Sequence, residues 1–261
     1  MSSDAWATIA DAFVEGAYAS VKGRVRTYVL HQQLQRHLPT TPAAILDVGG
    51  GAGHQSLPLA RLGFDVTLLD SSPAMLRKAE HRLRAEPDGV RRRIRLVEAA
   101  GEDADVATRG QQFAAVLCHG VLPYLERPGS ILQALCRCTA PGGVVSVMAL
   151  NAKTLAVRPA LDRRWTDALN AFDATHEMGA LGTLTRGDTV EGLSDLLRDG
   201  EVEPEAWYGV WLFCDWMDLP SDTTDVAAVA EVEFQASLRD PYRQLSRVFH
   251  LIGRRTTTST V

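Results

Sequence analysis

Between Ile45 and Asp70 the chain reads ILDVGGGAGHQSLPLARLGFDVTLLD. A short apolar run ends in a cluster of glycines, a helix-forming stretch follows, Gly63 stops it, and a second apolar run closes on an acid. Apolar runs of this length bounded by turn residues mark strands buried on both faces. The glycines at the first turn allow positive φ and let backbone approach a ligand with no Cβ in the way. Strand, helix and strand in this order are the unit of a parallel sheet covered on both faces.

The alternation continues downstream. Strands are expected at residues 44–48, 65–69, 93–98, 113–119 and 144–150, with helices at 54–62, at the segment beginning SSPAMLRKAEHRLRAE, and at 128–138. The serines and proline that open that second helix suit its N-terminus, and Met75, Ala79 and Leu83 fall on one face. Upstream, Ile9, Phe13, Tyr18, Val21, Val25, Val29 and Leu34 recur at helical spacing, so residues 1–40 are expected to form a helical cap. Beyond Asn151 the alternation stops. Residues 151–186 read as a helical cover without strands, TVEGLSDLLRDG as a returning helix, 206–214 and 247–255 as two last strands, and 215–245 as a second helical cover. The expectation is one α/β domain over residues 1–261 with a core at 44–150 and a seven-stranded, mostly parallel sheet.

Composition narrows the class. Of 261 residues, 46% are hydrophobic and 23% charged, an ordinary globular balance. No apolar run is long enough to span a bilayer, and MSSDAWATIADAFVEG has neither the basic nor the apolar region of a signal peptide. Four cysteines with one close pair, Cys136 and Cys138, match neither a zinc spacing nor a disulfide framework. A reduced, cytoplasmic protein without membrane or metal partner is expected. The net charge of −5 opposes whole-surface attraction to nucleic acid but leaves room for a local basic patch.

The glycine register excludes a nicotinamide cofactor. G-x-G-x-x-G started at Gly49 puts His54 at the third glycine, and started at Gly51 puts Ser56 there. G-x-G-x-G does fit. With Asp70 closing the second strand, and CTAPGG before the fifth, the chain resembles the class I S-adenosylmethionine-dependent methyltransferases, Rossmann-like enzymes. The resemblance implies S-adenosyl-L-methionine as cofactor. It places Gly49, Gly50, Gly51 and Gly53 against the methionine and ribose, Asp70 and the adjacent Ser71 at the ribose hydroxyls, and Met75 beside the adenine. Gly101 and Glu102, in the GED after the third strand, would meet the adenine amino group. His119 ends the fourth strand, where open α/β sheets bind ligands. It is a candidate for cofactor or acceptor contact and, for a hydroxyl acceptor, for general base.

A narrower resemblance rests on FVEGAYASVKGRVRTYVL, CHGVLPYLERP and LRDPYRQLSRVFHLIGRR. These segments resemble the bacterial tRNA 5-carboxymethoxyuridine methyltransferases, which esterify the carboxylate of a modified wobble uridine. The resemblance assigns Arg26 to the cofactor, a role apt for a guanidinium facing a carboxylate. It puts Tyr18, Lys22 and Tyr124 near the acceptor, and implies tRNA as the partner. Where that family carries a lysine-rich run, this chain has DRRWTDALNAFDATHEMGALGTLTRGD. A small-molecule acceptor therefore stands as the alternative, and a non-catalytic cofactor-binding protein as a third reading. The aromatics Trp165, Trp207, Tyr208, Trp211 and Trp216 are expected in the core and lid.

Overall fold

A computed structural model describes residues 18–179 and 182–257. Its frame is a sheet in the order β3-β2-β1-β4-β5-β7-β6, with β9 antiparallel to β5 and β8 antiparallel to β9. The strands are β1 Ala44–Val48, β2 Asp65–Asp70, β3 Ile94–Glu98, β4 Phe113–His119, β5 Thr139–Asn151, β6 His176–Met178, β7 Leu184–Asp188, β8 Val202–Val210 and β9 Val248–Arg255. From β3 through β5 all pairings are parallel. Chain order reverses at β1, which lies between β2 and β4, so the crevice beyond the carboxyl ends of these strands is the sheet's ligand-binding position.

Helices α1 Val21–Gln35, α2 Ser56–Arg61, α3 Pro73–Arg84, α4 Gly129–Cys138, α5 Val190–Arg198 and α6 Val226–Ser237 surround the sheet. The apolar faces of α4 and α5 are sunk into it. Ile131, Leu132 and Leu135 of α4 and Leu193 and Leu197 of α5 join Val116, Val145, Val147 and Phe249 in the largest core cluster. On α1, Val21, Val25 and Val29 share one stripe and pack with Ala230 of α6. Ser20 caps α1 by accepting from the Gly23 N–H at 3.1 Å, and Ser72 caps α3 by accepting from Met75 N–H at 3.4 Å. Ile9 and Phe13, and with them the first part of the expected cap, lie outside the described residues. Among the described residues no helix is long and apolar enough to cross a membrane.

The Rossmann-like fold forms as expected, and the sheet is larger than seven strands. Residues 151–186, expected to hold helical stretches and no strand, also contain most of the β6–β7 hairpin. β7 adds to the end of β5 through Leu150–Gly187 and Asn151–Asp188. That contact needs a glycine, because a Cβ at Gly187 would lie 2.9 Å from Ala152 Cα. Thr185 and Gly187 turn inward while Arg186 pairs with Asp188, so the alternation is carried by a threonine and a glycine, with none of the large apolar residues that signal a strand. Trp165 departs from the core expectation as well, at 64% exposure.

Candidate functional site

The turn after β1 is fixed from below. Gly49 N–H and Gly50 N–H donate to Leu69 O of β2, at 2.7 and 3.3 Å. Gly49, Gly51 and Gly53 all have positive φ, at 68°, 54° and 76°. A Cβ on Gly49 would collide with Val121 Cγ2, whereas one on Gly51 would meet nothing within 4 Å. Gly49 is thus required by packing, and Gly51 by backbone conformation, with open space in front of it.

That space is a cavity of about 440 Å³ above β1, β2, β3 and β4. It is lined by Arg26, Gly49, Gly51, Asp70, Ser71, Met75, Gly101, Glu102, His119, Tyr18 and Tyr124, all singled out from the sequence. Three others are elsewhere. Gly50 faces a small cleft with Asp47, His54 and Gln55, and Gly53 shapes the turn beside Leu57 and Leu68 without reaching the cavity. Lys22 pairs with the buried carboxylate of Asp215 and lines a neighbouring chamber. Ala99, Ala100, Val121, Leu125 and Ile131 complete the cavity wall and had no distinguishing sequence signal beyond being small or apolar. Gly101 is held to glycine by close approach, since a Cβ would lie 2.5 Å from Ile131 Cδ1 and 3.0 Å from Val48 Cγ1.

Charge in the cavity is arranged against burial. Asp70 Oδ2 accepts from Gly51 N–H at 2.9 Å and Oδ1 from Ser72 N–H at 2.8 Å. Burial raises its carboxyl above the ordinary range, and these two hydrogen bonds pull it back toward ionisation. Beneath it, burial pushes Asp47 up to about 6, with the 2.6 Å hydrogen bond from Ser56 Oγ opposing. Burial, then the Arg26 charge, lowers His119 to about 3; His54 is lowered to about 3 by burial, Arg82 and Arg26. Arg26 itself is buried, its guanidinium 5.0 Å from the Tyr18 ring centroid, and its Nε has no hydrogen-bond partner. His119 Nδ1 is also buried and unpartnered.

A second chamber of about 330 Å³ opens beside the first and shares Tyr18, Arg26, Gly120 and Tyr124 with it. Its far wall is Met148, Leu150, Trp211, Lys22 and Arg247. Arg247 donates through Nη2 to Glu177 Oε1, while its Nη1 is buried without a partner. Among the described residues no group of three or more His, Cys, Asp or Glu side chains is placed to hold a metal ion.

The features suit an adenosylated amino acid. An acid at the end of β2, a glycine turn that admits a ligand against backbone, an apolar wall and a buried guanidinium with an unpartnered Nε together match a ribose, a base and a carboxylate. On fold and site this is a class I S-adenosylmethionine-dependent methyltransferase. Comparison with known proteins agrees, residues 45–143 matching the family model described as a methyltransferase domain, and the chain is an S-adenosylmethionine-dependent methyltransferase. It is 28% identical over 252 residues to the tRNA 5-carboxymethoxyuridine methyltransferase of Escherichia coli K12, covering 95% of this chain and 94% of that one. It is 33% identical over 123 residues to the ubiquinone biosynthesis O-methyltransferase of Xylella fastidiosa, covering 47% and 48% of the two chains. Among solved structures, the CcbJ methyltransferase of Streptomyces caelestis superposes with a TM-score of 0.62 at 17% identity, covering 95% of this chain and 96% of that one.

Proposed function

We propose that this enzyme esterifies a carboxylate, that of 5-carboxymethoxyuridine in tRNA, within a single domain spanning residues 1–261. The observation that carries the reading is the second chamber, which meets the cofactor cavity at Gly120 and Tyr124 and is lined by Arg247, whose Nη1 is buried without a partner. A guanidinium edge held by one acid and still offering a donor is a carboxylate anchor. The relative matching both chains end to end acts on tRNA by name, whereas the ubiquinone-pathway relative matches about half of each. A tRNA acceptor puts the enzyme in the cytoplasm.

S-adenosylmethionine supplies a methyl group on a sulfonium, open to in-line displacement by a nucleophilic oxygen. In this reading Asp70 binds the ribose hydroxyls with the lone pairs not used by Gly51 and Ser72. Met75, Gly101, Glu102 and Ile131 enclose the adenine, and Arg26 meets the amino-acid carboxylate. Tyr18, Lys22 and Tyr124 border the acceptor. A carboxylate is ionised at neutral pH and needs no base. Catalysis is then chiefly proximity and orientation, worth about 7–11 kcal/mol. A His119 held neutral by burial serves as hydrogen-bond acceptor in this scheme, not as an acid.

The test is methyl transfer from radiolabelled S-adenosylmethionine to bacterial tRNA and, separately, to a low-molecular-weight extract. Label in tRNA that mild base releases is the expected ester. Label confined to the small-molecule pool would overturn the tRNA reading in favour of a metabolite acceptor.

A further inference from the structure

Behind the cavity, four side chains from four separate elements form one buried hydrogen-bonded file. His119 Nε2 on β4 lies 2.8 Å from Ser146 Oγ on β5, and Ser146 Oγ lies 2.6 Å from His250 Nε2 on β9. His250 Nδ1 lies 2.9 Å from Gln33 Oε1 on α1, and Gln33 Nε2 donates to the backbone carbonyl of Gly209 at 2.9 Å. Ser146, His250 and Gln33 are all 0% exposed, and none of them lines a cavity of the site.

The direction of every proton in this file follows from its anchor. A carbonyl oxygen can only accept, so Gln33 must turn its amide N–H₂ to Gly209 and its Oε1 to His250. His250 therefore donates from Nδ1. Full burial keeps its ring uncharged, the neighbouring His119 and His37 adding to the effect, so Nε2 carries a bare lone pair. Ser146 must spend its one proton on that lone pair. Its oxygen then accepts from His119, whose Nε2 holds the proton and whose Nδ1 is left bare. Nδ1 is the atom buried without a partner, on a residue that lines the cavity. The two rings, 5.3 Å apart between centroids, hold opposite tautomers.

We propose that Gln33, His250 and Ser146 are positioning residues that lock His119 as the Nε2–H tautomer, so that it presents Nδ1 to the methyl-transfer site solely as a hydrogen-bond acceptor. The ligand group that docks there must be a donor, an N–H or O–H. Had the anchor been a donor instead of a carbonyl, every proton in the file would point the other way and His119 would offer an N–H. The inference concerns the resting protonation of the enzyme and holds whichever acceptor is methylated.

Nitrogen-15 NMR of the histidine side chains tests it, with and without S-adenosylhomocysteine. The chain has seven histidines, and His119→Asn and His250→Asn assign the two signals by loss. In the wild-type protein at neutral pH, His119 is expected protonated on Nε2 alone and His250 on Nδ1 alone. Both rings in the same tautomer, or His119 protonated on Nδ1, would overturn the proposal. Gln33→Met removes the anchor and frees His250 to take either tautomer. A second, Nδ1–H population of His119 should then appear although Gln33 does not touch that ring. A Gln33→Met protein in which His250 changes and His119 keeps Nε2–H alone would show that no coupling runs through Ser146.

Discussion

Asp70 and Gly51 are joined by a 2.9 Å hydrogen bond from the glycine N–H to Oδ2, while Ser72 N–H occupies Oδ1 at 2.8 Å. One carboxylate thereby ties the glycine turn after β1 to the start of α3 and still has lone pairs directed at the cavity. Asp70→Asn cannot reproduce this, because its amide N–H₂ would face one of two backbone N–H donors. Loss of one charge-assisted hydrogen bond is worth about 1.5–3 kcal/mol. Calorimetric titration should show the Kd for S-adenosylhomocysteine rising by roughly 10–100-fold. An unchanged Kd would remove Asp70 from the cofactor site.

The glycines of the turn separate into two kinds. Gly49→Ala meets Val121 Cγ2 and takes a positive φ, combining strain of about 1–2 kcal/mol with overpacking of about 1–3 kcal/mol. Gly51→Ala carries the strain without the collision. Denaturant unfolding should therefore rank Gly49→Ala as the less stable of the two. The double variant Gly49→Ala, Val121→Ala should recover the overpacking part and leave the strain. If Val121→Ala relieves nothing, the collision is not what excludes a side chain at residue 49.

Much of this site was legible in the sequence because its parts are local. The glycine turn, Asp70, Met75 and Glu102 sit at or within a few residues of strand ends whose order is fixed by alternating apolar runs, so placing the strands places the residues. The ion pair of Lys22 was not legible, for the opposite reason. Lys22 lies in the motif segment with Tyr18 and Arg26, yet its partner Asp215 is 193 positions away and no periodicity connects them. The file from His119 to Gln33 was invisible on the same ground, since β9 reaches β5 only after the whole cover has been threaded. The β6–β7 hairpin escaped notice because threonine, arginine and glycine carry it, with little apolar alternation to read.

Lys22 has a structural task that a variant can expose. Asp215 is 2% exposed and paired with Lys22, and Arg158 approaches its Oδ1 at 3.7 Å. Lys22→Met leaves a buried carboxylate with only the distant arginine, which should cost about 1–3 kcal/mol of stability. Asp215→Asn leaves a partly exposed ammonium that water can solvate, so its cost is smaller. Combining the two should recover stability relative to Lys22→Met alone, as read from unfolding midpoints. Additive losses would mean the pair does not interact.

Buried histidines tie stability to pH. His54 and His119 stand at about 3 and His250 well below its ordinary value, so none takes a proton in the folded state between pH 7 and 5.5. In the unfolded chain each is protonated below about 6.5. Unfolding in this window therefore takes up protons, and stability falls as pH falls. Asp47, raised to about 6, acts in the opposite sense, because its folded form binds a proton sooner than the unfolded chain does. It can offset at most one of the three histidines. The guanidinium midpoint should drop from pH 7 to 5.5, and His54→Phe should shallow that slope. A midpoint that rises on acidification would contradict the buried neutral state of these rings.

Arg247 should divide acceptor recognition from cofactor binding. It lines the chamber and a neighbouring cleft with Lys22 and Asp215 but not the cofactor cavity, and its Nη1 has no partner. Arg247→Met keeps an apolar stem of similar reach and removes the charge. The KM for the methyl acceptor should rise by about tenfold or more, from the loss of roughly 1.5–3 kcal/mol of charge-assisted hydrogen bonding. The Kd for S-adenosylhomocysteine should stay within about twofold, and Arg247→Lys should restore only part of the loss because an ammonium lacks the planar fork. An acceptor KM indifferent to Arg247→Met would remove the anionic group from the acceptor, leaving an apolar chamber suited to an uncharged substrate.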